Sequence, residues 1–105
     1  MNVRFVYYEG CPSHEQALQR LRKIMRDEGI EPDVDIVKVE TPEDAERLRF
    51  IGSPTILING RDIDPPTEQH FSLTCRAYRL EDGRISPLPP EQMIRRAIRD
   101  NRAKQ

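Results

Sequence analysis

The sequence contains no long apolar run. Its 105 residues are 36% hydrophobic and 33% charged, and no stretch approaches the roughly 20 apolar residues that a membrane-spanning helix requires. The amino-terminal segment MNVRFVYYEG also lacks the layout of a secretory signal, because its apolar run is short and no small-residue cleavage site follows. We therefore expect a cytoplasmic protein with no membrane partner.

Cysteine is scarce, with one residue at position 11 and one at position 75. Two thiols cannot complete a four-cysteine zinc site. In a reducing compartment, such a pair is more often reactive or metal-binding than a structural disulfide. Cys11 and Cys75 are therefore candidates for a reactive or metal-binding site.

Net charge is also small. The formal net charge is −1, and a near-neutral chain argues against a protein built to coat nucleic acid. We therefore expect no nucleic-acid partner. The length of 105 residues suffices for one modest core, so we expect a single domain over residues 1–105.

What the sequence does contain is an alternation of strand and helix patterns. The predicted strands are residues 3–8, 33–40, 55–58 and 61–63, and the predicted helices are residues 12–28, 42–51 and 91–101. The pair Asn59-Gly60 predicts a hairpin turn, because both turn positions need positive φ. This order predicts an α/β fold with a mixed four-stranded sheet (βαβαββα) flanked by helices. An insert at about residues 65–90 precedes the last helix, and its segment LTCRAYRL has strand character.

Two motifs, in this order, resemble the thioredoxin-like superfamily and its glutaredoxin-like branch in particular. GCPSH places Cys11 at the turn between the first strand and the first helix, and IGSPTILING resembles the cis-proline loop, strand and hairpin of that superfamily. The resemblance covers residues 3–63 and the last helix. The chain differs from the pattern at His14, where a second cysteine is usual, and at Ser53, where a β-branched residue is frequent. The insert replaces the glycine-rich segment with which glutaredoxins hold glutathione.

The resemblance implies that Cys11 is a catalytic thiol. Unpaired amides at a helix N-terminus favour its thiolate, which is the nucleophilic form. His14 would stabilise that thiolate or act as an acid and base near neutral pH. Pro54 would follow a cis peptide bond and expose the backbone of the preceding residue to an extended substrate. The predicted substrate-binding residues are Tyr8, Pro12, Ser53, Pro54 and Thr55.

Cys75 lies in the insert and is the third predicted catalytic residue. The Asn59-Gly60 hairpin returns the chain toward the end of the sheet where Cys11 lies, which favours proximity of the two cysteines. Cys75 would then resolve a mixed disulfide formed on Cys11. The competing interpretation is a buried cysteine on an extra strand, facing nothing reactive.

Three functions are compatible with these residues. The first is a thiol-disulfide oxidoreductase of glutaredoxin-like type that needs no cofactor and acts on a protein or small-molecule thiol or disulfide. The second is a protein that binds a soft metal or a mercurial through Cys11 and Cys75, with His14 as a further candidate ligand, because thiolates suit such ions. The third is a thioredoxin-like binding module without redox activity.

Overall fold

The computed structural model describes residues 1–31, 33–65 and 75–103. Nine helices and strands lie in these ranges: β1 (Val3–Tyr8), α1 (His14–Asp27), β2 (Asp35–Val39), α2 (Pro42–Arg47), β3 (Thr55–Ile58), β4 (Arg61–Asp62), β5 (Tyr78–Arg79), β6 (Ile85–Ser86) and α3 (Glu91–Ala103). Within the described ranges, every helix is too short or too polar to cross a bilayer.

The first four strands form one mixed sheet in the order β2-β1-β3-β4. Strand β1 runs parallel to β2 and antiparallel to β3, so Phe5 lies opposite Ile36 on one side and Ile56 on the other. Strand β4 returns antiparallel to β3. The predicted α/β fold with a mixed four-stranded sheet and three helices is confirmed at this level, and it is compatible with a thioredoxin-like fold.

The sheet is covered on both faces. Helices α1 and α3 pack on one face against the alternate residues of β1 and β3, in a core of Val3, Phe5, Ala17, Leu21, Ile24, Met25, Ile56, Ile58, Ile94 and Ile98. The opposite face carries a smaller core of Val6, Val39, Ala45 and Phe50. Because side chains alternate along β1, its successive residues contribute to both cores.

Helix α3 extends two residues past its predicted end, to Ala103, and two other predicted helix boundaries are wrong. Helix α1 begins at His14 with Ser13 as its N-cap, because the chain first completes a turn in which the Cys11 amide donates to the Tyr8 carbonyl at 3.0 Å. Helix α2 ends at Arg47 rather than reaching position 51. Its early end turns the chain so that Phe50, which is 2% exposed, enters the smaller core.

The predicted turns and caps are confirmed. Asn59 and Gly60 have φ of 53° and 81°, as a tight hairpin between β3 and β4 requires. Gly29 has φ of 73° and ends α1, with the Ile30 amide donating to the Met25 carbonyl at 2.8 Å. The Thr41 hydroxyl accepts from the Asp44 amide at 3.1 Å and caps α2.

Over the described residues 75–80, the pattern LTCRAYRL forms less regular structure than predicted. The regular strand in these residues is β5, which covers Tyr78 and Arg79 alone and pairs antiparallel with β6, which also lies in the insert. The first two residues of the predicted strand, at positions 73 and 74, lie outside the described residues. An isolated bridge joins Cys75 to Ser53 and brings the insert to the sheet.

Glu28, at the end of α1, joins that helix to α3. Its carboxylate accepts from Arg95 at 3.1 Å and from Arg99 at 2.8 Å, and its carbonyl accepts from Arg102. The hydrogen bond from Arg99 is the main reason that the pKa of Glu28 is lowered, and burial opposes this effect. These contacts fix the two helices that cover the larger core.

Candidate functional site

Cys11 lies in the loop between β1 and α1, and its side chain is fully buried. The loop is tight at Gly10, where an added Cβ would lie 2.5 Å from the Tyr8 ring. Because α1 starts at His14, Cys11 precedes the N-cap by two residues. Its thiol donates to the Ser53 carbonyl at 3.5 Å. In the described part of the chain, this sulfur forms hydrogen bonds with that carbonyl and with a second sulfur, and not with an amide of α1.

The loop before β3 supplies the second wall of the site. The peptide bond between Ser53 and Pro54 is cis, as predicted. The Ser53 hydroxyl accepts from the Tyr8 amide at 3.0 Å, and the Thr55 hydroxyl donates to the Gly52 carbonyl at 2.6 Å. Ser53, Pro54 and Thr55 are all buried. The three predicted substrate-binding residues of this loop therefore lie inside the protein in this structure.

Residues 75–78 of the insert, which we call the docked segment, cover this loop. Cys75 forms a parallel bridge with Ser53, and the Arg76 amide donates to the Ser53 carbonyl at 2.8 Å. Gly52 permits this approach. It has φ of 149°, and a Cβ there would lie 3.0 Å from the Arg76 Cα and 3.2 Å from the Cys75 carbonyl carbon. The backbone position predicted for an extended substrate is thus occupied by the chain itself.

The docked segment brings the two cysteines together. Both are free thiols, and the Cys75 thiol donates to the Cys11 sulfur across 2.7 Å, although the residues are 64 positions apart in sequence. Cys75 is exposed, whereas Cys11 is buried. The hydrogen bond to Cys11 is the main cause that raises the pKa of Cys75 from 9.0 to about 11, and burial and the charge of Cys11 add to it. Cys75 therefore keeps its proton at neutral pH while it contacts Cys11.

Arg76 anchors the docked segment. Its side chain is only 6% exposed, and its guanidinium lies 2.9 Å from the carboxylate of Asp62, which is itself 13% exposed. The guanidinium also donates to the Asp64 carbonyl and lies over the Tyr78 ring, 4.7 Å from its centroid. A buried cation needs such partners, because an unpaired charge in the interior is very costly.

Burial and the cation act on Asp62 in opposite directions. Burial is the larger effect and raises the pKa of Asp62, while the hydrogen bond and charge of Arg76 lower it. Tyr78 completes the anchor because its hydroxyl donates to the Pro54 carbonyl at 2.5 Å, and burial raises the pKa of that hydroxyl. The anchor thus ties the docked segment to both β4 and the cis-proline loop.

Residues 12–98 match the family described as a domain of unknown function, DUF2703. The chain belongs to this family. A search of curated proteins and a search of solved structures each found no match. The matched span of this DUF2703 domain begins directly after Cys11 and contains both the cis-proline loop and the docked segment.

The remaining predicted residues of this DUF2703 domain, His14, Tyr8 and Pro12, lie within three positions of Cys11 in the sequence. The His14 ring stacks on Tyr7, with ring centroids 4.6 Å apart. Tyr8 is half-buried against the smaller core, and Pro12 is exposed. In residues 1–31, 33–65 and 75–103, we find no cluster of three or more His, Cys, Asp or Glu side chains arranged to hold a metal ion.

No role was predicted from the sequence for the anchor residues Arg76, Asp62 and Tyr78. In the structure, burial alternates along the docked segment, so that Arg76 and Tyr78 face inward and the residues beside them face outward. The only sign of this in the sequence is that Arg76 and Tyr78 stand two positions apart in a segment of strand character. An arginine two positions from a tyrosine on the inner face of a short extended segment indicates a buried cation with a partner. That partner, Asp62, lies in β4, and local patterns do not show the pairing.

Proposed function

We propose that this chain is a thiol-disulfide oxidoreductase of thioredoxin-like, glutaredoxin-related type, in which Cys11 and Cys75 form the redox pair. The observation that carries the proposal is the 2.7 Å separation of their sulfurs. A disulfide needs about 2.05 Å between sulfurs, so oxidation requires only a small further approach. Cys75 supplies the second thiol, so no cysteine is needed at position 14, where His14 occupies the usual place of the second cysteine.

The reaction is a two-electron exchange. The reduced protein gives two electrons and two protons to a substrate disulfide, which becomes two thiols, and Cys11 and Cys75 become linked. The reverse reaction oxidises a substrate dithiol. Both proceed through a mixed disulfide, so they need no metal or organic cofactor. The substrate class is a protein or a small molecule that carries a thiol or disulfide.

The fold supports this exchange by holding the two thiols together before they react. The cysteines are 64 residues apart, and closing a loop of this length in the unfolded chain costs about 4 kcal/mol in a chain-entropy estimate. The anchored docked segment provides that closure in the folded state. By the same argument, the disulfide should stabilise the folded protein against urea by up to about 4 kcal/mol.

The test is a redox titration combined with peptide mapping. The protein is equilibrated in dithiothreitol buffers of graded potential, acid-quenched and digested, and we expect a linked Cys11–Cys75 peptide that appears in a single two-electron transition. The oxidised protein should then accept electrons from dithiothreitol, and the reduced protein should cleave the interchain disulfides of insulin. The Cys11→Ser and Cys75→Ser variants are the controls, and each should lose the two-electron transition.

Two results would contradict the proposal. One is the absence of the linked peptide at every potential. The other is insulin cleavage that persists unchanged in a variant lacking both cysteines, because the activity would then come from elsewhere in the sample. Either result would favour the third function, a binding module.

A further inference from the structure

We infer that Cys75 is the sulfur on which external thiols and disulfides react, and that Cys11 is the internal partner that closes and opens the disulfide. This inference rests on the proposed function and reverses the roles that the sequence pattern favours. There, Cys11 attacks the substrate and Cys75 resolves the mixed disulfide.

The first observation is access to solvent. Cys11 is fully buried, and Cys75 is exposed. The rate of thiol-disulfide exchange depends on which sulfur the incoming group can reach. Cys75 is therefore the more accessible residue of the pair, whereas Cys11 lies beneath the docked segment and against the cis-proline loop.

The second observation is the direction of attack. An incoming thiolate approaches a disulfide along the sulfur–sulfur axis, from the side opposite the leaving sulfur. Attack on Cys75 with Cys11 as the leaving group therefore needs access to the exposed residue of the pair. Attack on Cys11 needs access to a fully buried residue whose sulfur lies 3.5 Å from the Ser53 carbonyl.

The third observation is a position for the thiol of the departing Cys11. When an external thiolate bonds to the Cys75 sulfur, the Cys11–Cys75 bond breaks and its electron pair goes to Cys11. Cys11 then takes up the proton that the incoming thiol released, and the resulting thiol donates to the Ser53 carbonyl.

A second thiol of the substrate completes the exchange by attacking the substrate sulfur of the mixed disulfide. Cys75 then leaves with the electron pair and is protonated. The substrate dithiol has lost two electrons and two protons, and the protein disulfide has gained them. In the opposite direction, the Cys75 thiolate attacks the substrate disulfide, and Cys11 attacks Cys75 to release the second substrate thiol.

The contact with Cys11 also affects the reduced protein. The hydrogen bond to Cys11 raises the pKa of Cys75 to about 11, so few molecules carry a Cys75 thiolate at neutral pH. Attack by an external thiolate on the oxidised pair needs the thiolate of the external group instead, and not that of Cys75.

The test identifies which sulfur carries the external group. The oxidised protein receives one equivalent of 2-mercaptoethanol and is acid-quenched at short times, and the freed thiol is alkylated under denaturing conditions and mapped. We expect mercaptoethanol on Cys75 and the alkyl group on Cys11, with an excess of about tenfold or more over the reverse pattern. The reverse pattern, or equal labelling of both cysteines, would overturn the inference.

Single-cysteine variants provide a second measurement. In Cys11→Ser the remaining Cys75 should react with 5,5′-dithiobis(2-nitrobenzoic acid) about tenfold faster or more than Cys11 does in Cys75→Ser. The difference should vanish in concentrated guanidinium chloride, because both thiols are then exposed. Equal rates in the folded variants would also overturn the inference.

The two proposals can fail separately. If no linked Cys11–Cys75 peptide forms on oxidation, the proposed function fails and this inference fails with it. If the linked peptide forms but mercaptoethanol bonds to Cys11, only the assignment of roles is wrong.

Discussion

Replacing Arg76 by methionine tests whether the buried ion pair holds the docked segment in place. Methionine keeps much of the length and apolar contact of arginine but cannot pair with Asp62, which lies 2.9 Å from the guanidinium. The variant also removes the hydrogen bond to the Asp64 carbonyl and the contact with the Tyr78 ring. A carboxylate that is 13% exposed then remains without its cation.

The magnitude follows from the burial of the pair. Removing one partner of a buried ion pair costs about 3–5 kcal/mol. Asp62 keeps some exposure and still accepts from the Asp64 amide at 2.8 Å, which places the cost near the lower end, at about 3 kcal/mol. For a domain of this size, that loss lowers Tm by about 12 °C.

The loss should depend on pH. The folded pKa of Asp62 lies above its ordinary value of 3.8 because of burial, against the opposing effect of Arg76. A raised carboxyl pKa means that the folded state binds the proton more tightly than the unfolded state, so stability falls as pH rises through the folded pKa. Removing the cation raises that pKa further. The deficit of Arg76→Met should therefore be largest at neutral pH and smaller near pH 4, where Asp62 takes up a proton.

Urea unfolding of the reduced protein at both pH values measures this deficit. The matched control is Arg79→Met, because Arg79 lies three residues after Arg76, on β5, and is exposed; its effect should stay within about 0.5 kcal/mol. In redox buffer, Arg76→Met should also form the Cys11–Cys75 disulfide less readily, by about tenfold for each 1.4 kcal/mol of docking energy lost. If the two variants unfold alike, or if the deficit is the same at both pH values, the reasoning from a buried charge is wrong.

Three further predictions concern the thiols, the close approach at Gly52 and the contacts of Glu28 that join α1 to α3. Cys11→Ala should return the pKa of Cys75 from about 11 toward 9.0 and so speed its alkylation by iodoacetamide at pH 8 by about a hundredfold; an unchanged rate would show that Cys11 does not hold the proton on Cys75. Gly52→Ala should lower the yield of the linked peptide, because its Cβ would meet the docked segment at 3.0 Å. Gly60→Ala is the control, since Gly60 also has positive φ but has open space around it; this variant should lose stability and still form the linked peptide. Equal linkage in the two glycine variants would contradict this steric explanation. Glu28→Gln should destabilise the protein at pH 7, and this deficit should shrink as pH falls below 4.5 and through the folded pKa. The reason is that the lowered pKa of Glu28 gives stability that is present above its unfolded pKa and lost on acidification. A deficit in urea unfolding that does not change with pH would mean that these helix contacts do not depend on the carboxylate charge.

Local sequence rules predicted the framework of the fold. They failed where packing against another part of the protein decided the outcome. The hairpin at Asn59-Gly60 and the cap at Thr41 follow from the backbone needs of single turns, and both are present. The end of α2 does not follow from such rules. Its sequence would allow another turn of helix, but the chain leaves the helix early so that Phe50 can enter the smaller core.

The candidate site also contains one contact that the sequence pattern favoured and one that it did not indicate. The direction in which the hairpin returns favoured a Cys75 near Cys11 but left open a buried cysteine facing nothing reactive. The structure brings the two sulfurs to 2.7 Å. The residue beside it, Arg76, was given no role, because arginine is rarely buried unless it is paired. Its pairing with Asp62 is a tertiary contact between the insert and β4. No periodicity in either segment encodes that contact, and inferring it would have required the sheet to be assembled first.

Placing the second cysteine on the docked segment instead of at position 14 also changes access to the cis-proline loop. A partner at position 14 would lie at the start of α1 and leave the cis-proline loop open to an extended substrate. A partner on a segment that pairs with Ser53 closes that position, because the Arg76 amide already occupies the Ser53 carbonyl. The substrate-pairing groove predicted from the sequence and the Cys11–Cys75 pair therefore compete for the same backbone group. In the proposed mechanism, the docked segment holds Cys75 beside Cys11 and covers the backbone that would form the substrate-pairing groove. The substrate therefore has to be recognised at the exposed residue Cys75.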